Sequence, residues 1–268
     1  TYTAGLRYLK DEGERWSKII GVSAEYQHNR VGGYSFLLPE FDRLSGGVFW
    51  LNSIRWSDNL TLTGGLRYDI GKLDIYRFYD SVLSEYLLMQ GYDEQEADLY
   101  SQRSSDISRT FNDLSYSAGI SYDFNKRHSL KLNVGSSFRY PGANELSSNG
   151  VHHGAFRHEM GNDELKSEKG LQLDADYHFR GKKLSVTLNP FITWFNNYIY
   201  LNPTGEWSVL PHAGQIYRYS QSEAFMAGGE MIIRYDFTNN WSATSDFEYL
   251  FSVNMEDNYP LPFTPPAA

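Results

Sequence analysis

Apolar and polar residues alternate along most of this chain with a period of two. Leu114, Tyr116, Ala118, Ile120, Tyr122 and Phe124 share one face of their segment, while Ser115, Ser117, Gly119, Ser121 and Asp123 share the other. The same alternation runs through residues 60–69, 130–139, 171–180 and 241–251. Successive side chains of a β-strand point to opposite faces, so each stretch predicts a strand with one apolar and one polar side. About ten long strands are expected on this pattern, near residues 2–9, 17–29, 43–56, 60–75, 110–124, 128–139, 168–180, 183–199, 215–237 and 241–254.

Three of these strands end alike, in Tyr122-Asp123-Phe124, Tyr177-His178-Phe179 and Tyr235-Asp236-Phe237, each followed by a short polar turn. A spacing of roughly 55 to 58 residues fits one strand out, a loop, one strand back and a tight turn. Tyrosine and tryptophan favour a membrane interface because one end of the ring system is apolar and the other wet, so an aromatic belt at one level predicts an all-β fold, an antiparallel transmembrane β-barrel. A period of two by itself also fits a soluble all-β binding or adhesive domain with its apolar face turned onto a core. Two features separate the cases. The strands run about ten residues or more, enough to cross a bilayer when tilted, against about five or six in soluble sheets. The connections alternate in length, with short turns at 57–59, 125–128, 180–183 and 238–240 and long loops at 29–43, 76–109, 140–167 and 200–220; outer-membrane barrels show this asymmetry.

Composition sharpens the picture in three places. Twenty-one Tyr and sixteen Phe among 268 residues coexist with a negative mean hydropathy, as expected where only alternate residues meet lipid and the rest line a polar lumen. The absence of cysteine excludes disulfides and thiolate metal sites. A net charge of -9 argues against nucleic acid as a partner. Thr1 opens directly on a strand-like stretch, which predicts a leader already removed or a fragment.

The loop from Tyr76 to Arg109 carries Asp80, Glu85, Asp93, Glu94, Glu96, Asp98 and Asp106, and its apolar positions Val82, Leu83, Tyr86 and Leu87 predict a short helix. It reads as a solvated external loop, or as an acidic vestibule that draws cationic ligands. The last residues, Asn258-Tyr259-Pro260-Leu261-Pro262-Phe263-Thr264-Pro265-Pro266, cannot pair as a central strand. Unpaired edges are costly in lipid, so either the first and last strands pair or further chain supplies the missing neighbours.

One segment carries a resemblance. Phe138-Arg139-Tyr140-Pro141 leads to Glu145-Leu146, then to Asn149-Gly150-Val151-His152-His153-Gly154, and returns through Gly161-Asn162-Asp163-Glu164-Leu165-Lys166-Ser167-Glu168. The order resembles the TonB-dependent outer-membrane receptors, as do Gly228-Gly229-Glu230 and the proline-rich end. The resemblance implies a partial barrel domain over residues 1–268, part of a 22-stranded barrel without the plug domain. It further implies a Gram-negative outer membrane, and uptake of an iron chelate, haem or another metal complex driven by the TonB energising protein through the plug. Outer-membrane lipid and the transported ligand are the other implied partners, with no resident cofactor. Read physically, Pro141 turns the chain out of the sheet, Gly161-Asn162 is a turn signal, and the motif is architectural.

For chemistry, His152, His153, His158 and Glu159 form the one notable cluster of metal-ligand types; neutral imidazole binds zinc, copper and haem iron. Against a metal role, adjacent His152 and His153 of an extended chain point apart, and the spacing matches no zinc motif. Tyr92, Phe156 and Trp207, with Tyr34, Phe36, Phe41, Tyr198 and Tyr200, are aromatics able to stack on a ligand or pack the loops. Arg67, Arg139 and Arg234 fall on the polar face, where acids such as Glu230 or Asp176 are expected to pair with them. No nucleophile elbow or phosphate loop points to an enzyme, leaving a small complete porin or hydrolase barrel as the remaining alternative.

Overall fold

The computed structural model describes residues 1–13, 15–33, 36–262 and 264. Fourteen strands and three helices follow in chain order: β1 Tyr2–Glu12, β2 Trp16–Asn29, β3 Phe41–Ser57, β4 Leu60–Ile75, β5 Phe78–Tyr79, α1 Ser81–Met89, α2 Glu94–Ser101, β6 Gln102–Ser104, β7 Ile107–Asn125, β8 His128–Arg139, α3 Ala143–Ser147, β9 Asn149–His152, β10 Arg157–Met160, β11 Glu168–Arg180, β12 Leu184–Trp207, β13 Gln215–Asp236 and β14 Ser242–Asn254. Ten long strands correspond to the ten that the alternation predicts, with β12 extending beyond its expected end. They form an antiparallel meander in the order β1-β2-β3-β4-β7-β8-β11-β12-β13-β14. Among the described residues β1 and β14 do not pair with each other, so the wall is open.

Register turns the period of two into a surface. Tyr8 stands opposite Ile20, Ile20 opposite Trp50, Trp50 opposite Leu66, and Leu66 opposite Tyr116. All five side chains are exposed. A parallel row joins Leu6, Val22, Val48, Tyr68 and Leu114, again exposed throughout. An apolar band that covers nothing within the protein is what a lipid-facing wall requires, and it removes the sandwich alternative, which needs that face buried.

The aromatic endings sit together at the short-turn end. Tyr122 and Phe124 meet edge to face with centroids 4.9 Å apart, and Tyr235 and Phe237 at 5.0 Å. Residues two apart on a strand share a face, so the repeated aromatic-x-aromatic signature becomes a pair of touching rings. In the third copy His128 intervenes, hydrogen-bonded to the Tyr177 hydroxyl at 2.7 Å with its ring 4.9 Å from Phe179.

The opposite face is polar and paired, with partners different from those expected. Arg67 binds Asp69, Arg234 binds Asp236, and Asp176 is taken by Lys131 and His178 rather than by an arginine. Same-face neighbours two residues apart are closer than the more distant acids proposed from sequence, and they win for that reason. Pro190 lies inside β12, where a missing N–H breaks a ladder; the β11–β12 register is interrupted there, between Phe191 and Leu188. Gly229 of β13 stands opposite Pro190, so near that a Cβ would fall 2.9 Å from Pro190 Cα.

At the long-loop end β12 and β13 continue well past β14, so the expected loop at 200–220 shrinks to residues 208–214. The buried apolar residues gather at this rim. Phe41, Leu73, Ile75 and Phe111 from the strands pack with Ala143, Leu146, Leu165, Ile199 and Tyr219. The long loops are therefore a second, water-type core seated on the wall, not loose connections.

Candidate functional site

Four loop elements build one layer over this rim. Helix α1 forms where Asp80 caps the first turn, its carboxylate accepting from Leu83 N at 3.0 Å, and it ends before Gly91, whose φ of +91° suits the missing Cβ. A second helix, α2, is capped by Asp93 and was not foreseen, because its apolar residues are only three. Leu87, Ala97 and Tyr100 of the two helices bury against Leu210 and Ala213 at the β12–β13 tip. With Asp80 and Asp93 used as caps and Asp106 accepting from Arg77 N, Glu85, Glu94, Glu96 and Asp98 remain as the exposed acids of the expected vestibule.

The loop over residues 140–167 contributes α3 and the β9–β10 hairpin. Strand β10 runs parallel to β13, His158 opposite Ile216 and Met160 opposite Arg218. It occupies the edge of β13 that lies beyond the last rung of β14. Arg103 is buried behind it, donating to Asn149 O at 2.7 Å and Phe36 O at 3.2 Å, and so ties three loops together. Gly150 leaves the space for that guanidinium, which any Cβ would strike.

The histidine and glutamate cluster is a structural joint. His158 is fully buried between Ser208 Oγ, 2.8 Å from Nδ1, and Asn149 Oδ1, 2.6 Å from Nε2. Asn149 Nδ2 donates to Leu99 O and Gln102 O, which turns Oδ1 toward His158. Nε2 therefore carries the proton and Nδ1 accepts from Ser208, leaving a neutral ring with both nitrogens used. Glu159, 1% exposed, accepts from His152 Nδ1 at 2.9 Å, Arg157 Nε at 2.7 Å and Tyr219 Oη at 3.0 Å. Among the described residues no group of three or more His, Cys, Asp or Glu is arranged to hold a metal ion.

The electrostatics follow from this packing. Burial, with a smaller push from the Arg103 charge, lowers the His158 pKa to about 4. Burial pushes the Glu159 carboxyl up, but hydrogen bonds from His152 and Arg157, the Arg157 charge and the Tyr219 hydroxyl outweigh it and hold the group below the usual carboxylate range. Below the ordinary histidine pKa of 6.5 an opened hairpin takes up a proton that the closed one refuses. The closed form therefore loses stability as pH falls from 6.5 to about 4, by up to about 3 kcal/mol. Glu159, with a depressed pKa, adds a further loss below the unfolded carboxylate value. Amide exchange in β9 and β10, corrected for intrinsic rates, is expected to accelerate across that window while the β3–β4 ladder stays protected; flat protection would refute the assignment.

The family motif folds onto the same joint. Arg139 bridges two carboxylates, Glu145 at 2.8 Å and Glu168 at 3.1 Å. Glu145 also accepts from Gly142 N, and Glu168 from Ile199 N at 2.8 Å, beside the β12 bulge at Asn197. Gly161 passes so close to α3 that a Cβ would lie 2.5 Å from Ser147 N. The architectural reading of these residues is the one the geometry bears out.

The ligand-contact candidates divide. Phe156 and Trp207 are largely exposed at neighbouring tips, and His153 is exposed on the same β9–β10 turn. His152 is half-buried, while Tyr92 packs partly buried against the cluster around Leu87 and Tyr100. Phe41 belongs to the rim core, Phe36 lies edge-on to Phe78, and Tyr200 Oη accepts from Asn254 Nδ2. Tyr34, like Phe263, Pro265 and Pro266 of the proline-rich end, lies outside the described residues.

Comparison with known proteins adds the family. The family model described as TonB dependent receptor-like, beta-barrel, matches residues 1–268. Among solved structures, the copper transporter OprC superposes with a TM-score of 0.71 at 18% identity, covering 99% of this chain and 40% of that one. The Serratia marcescens hemophore receptor HasR, solved with its hemophore and heme, gives 0.61 at 20% identity, covering 94% and 40%. The Escherichia coli K12 ferric-catecholate import receptor Fiu gives 0.61 at 16%, covering 99% and 40%. At these identities the likeness is one of fold, and the chain spans about 40% of the length of each.

Proposed function

The chain belongs to the TonB-dependent receptor β-barrel family, and on that footing we propose that it supplies wall strands and external loops to a receptor taking up an iron chelate, haem or another metal complex. The family is one of outer-membrane transport receptors of Gram-negative bacteria rather than of enzymes. The observation that carries the reading is the match over residues 1–268 together with exposed apolar rows that run unbroken from β1 to β7. Relatives named for copper, heme and ferric-catecholate point to metal complexes as the class of cargo. Energy would come from TonB through the family's plug domain, with no covalent step and no resident cofactor.

Within the loop layer we assign ligand contact to the exposed His153, Phe156 and Trp207 with the half-buried His152 beside them, and support to the buried His158 and Glu159 with the partly buried Tyr92. A rigid layer beneath exposed aromatic and imidazole groups positions them without further ordering cost on capture. Uptake of a panel of labelled iron chelates, haem and copper by cells carrying the protein tests the function. Replacing His152 and His153 together by alanine is expected to lower uptake about tenfold, the loss of roughly 1.4 kcal/mol of contact. Unchanged uptake would remove the histidines from the site.

A further inference from the structure

Several cations of the wall meet a carboxylate, among them Arg67, Lys72, Lys131, Arg139, Lys169 and Arg234. Two adjacent turns are different. Lys126 and Arg127 lie between β7 and β8, and Arg180, Lys182 and Lys183 lie at the turn from β11 to β12; all five are exposed. Because β8 pairs with β11, the turns are neighbours, and Arg180 N donates to Arg127 O at 2.8 Å. None of the five forms an ion pair among the described residues. Asp58 and Asp123 border the same hollow of about 710 Å³. Asp176 is already engaged by Lys131 and His178. Lys126, Arg127 and Arg180 line that hollow, and Lys182 and Lys183 line the adjoining one beside Arg234 and Asp236, so the cations of the two turns outnumber the acids near them.

Their depth gives the cluster a meaning. Tyr122, Phe124, Tyr177 and Phe179 lie on the apolar face immediately before these turns, and Phe124 is 54% exposed. In a wall spanning a bilayer, such rings occupy the interface, and cations one step beyond them sit at the level of the lipid phosphates, with flexible stems able to reach sideways. The opposite rim carries the exposed acids Glu85, Glu94, Glu96 and Asp98 on its two helices, whereas the β7–β8 and β11–β12 turns carry more cations than acids. We propose that the β7–β8 and β11–β12 turns form a binding surface for anionic phospholipid headgroups of the leaflet at the short-turn end. Phosphates there supply the negative charge that the cations of the two turns lack.

The inference rests on the membrane-wall reading above, and the experiment separates the two. The protein as purified from membranes is reconstituted into phosphatidylcholine alone and into mixtures with phosphatidylglycerol, and lipid retained after mild detergent release is quantified by mass spectrometry. Phosphatidylglycerol is expected to be enriched over its bulk share by about threefold or more. In a variant carrying Lys126→Gln, Arg127→Gln, Lys182→Gln and Lys183→Gln the ratio should return to bulk, and it should do so in the parent at about 0.5 M salt, where such attraction is screened. Bulk ratios in the parent, or enrichment that survives both salt and substitution, would overturn the proposal. Binding of an acidic peptide without lipid enrichment would overturn it in favour of a protein partner. Failure to insert into either bilayer, read as loss of the compact gel mobility of folded barrels, would instead overturn the wall reading. If the variant does not fold, the salt dependence of the parent decides.

Discussion

Alanine at Glu159 is expected to free the β9–β10 hairpin from the wall while leaving the strands intact. The carboxylate is 1% exposed and is the common acceptor of His152, Arg157 and Tyr219, the last a residue of β13. Its removal strips three donors of their partner at once and leaves the Arg157 guanidinium, itself mostly covered, without the charge it faces. Removing one member of a buried charge network costs about 3 kcal/mol or more, because the other member stays desolvated. Tyr219 also accepts from Asn144 of α3, so the disturbance reaches the motif helix. The measurement is hydrogen exchange in β9 and β10, expected to speed by about a hundredfold, against unchanged protection in β3 and β4. Glu159→Gln keeps the shape and an acceptor oxygen and should fall between the two; an alanine variant as protected as the parent would show that apolar packing alone holds the hairpin.

Leucine at Arg139 is expected to have the second large effect, at the junction of β8, α3 and β11. Here one guanidinium serves Glu145 and Glu168, whose side chains are 14% and 12% exposed. Leucine leaves two carboxylates facing each other with no cation between them. Because Arg139 itself is 42% exposed, solvent screens part of the loss, and a cost of about 2 kcal/mol is the expected scale. Lysine keeps the charge but not the fork that reaches both acids, so Arg139→Lys should recover only part. Adding Glu145→Gln to Arg139→Leu removes one of the opposed charges and should restore much of the loss. Thermal unfolding of the purified variants reads this order; equal stability of the leucine variant with and without the second change would refute the charge argument.

Much of the wall was legible from the chain because each strand has one apolar and one polar face. Where lipid lies on one side and a polar lumen on the other, every second residue is constrained by solvent rather than by a particular neighbour, and the constraint leaves a readable period. The three aromatic endings were legible for the same reason. The loop layer was not. Helix α1 announced itself through Leu83 and Leu87, four residues apart, but α2 is held by tertiary contacts of Ala97 and Tyr100, and β9 and β10 are four-residue strands whose pairing depends on an edge of β13 far along the sequence. Any signal for α2 was confined to Asp93 followed by Glu96, a capping pattern.

His158 and Glu159 show the limit most clearly. By residue type they suggested metal ligation, whereas in the fold both His158 nitrogens and both Glu159 oxygens are committed to protein partners. Partners at separations of 50 and 60 residues cannot be inferred from local spacing. The arginines teach the same lesson in reverse, since pairing on the polar face was foreseen and the partner was not.

What the amino-acid order determined by itself was the alternation, the strand lengths and the two unequal kinds of turn, because these answer to solvent and to local geometry. Tertiary structure decided which charges meet, how the loops stack into a second core, and which cations were left unmatched at the short-turn end. Those outcomes depend on register between strands, where a shift of one residue exchanges every lipid-facing side chain for a lumen-facing one.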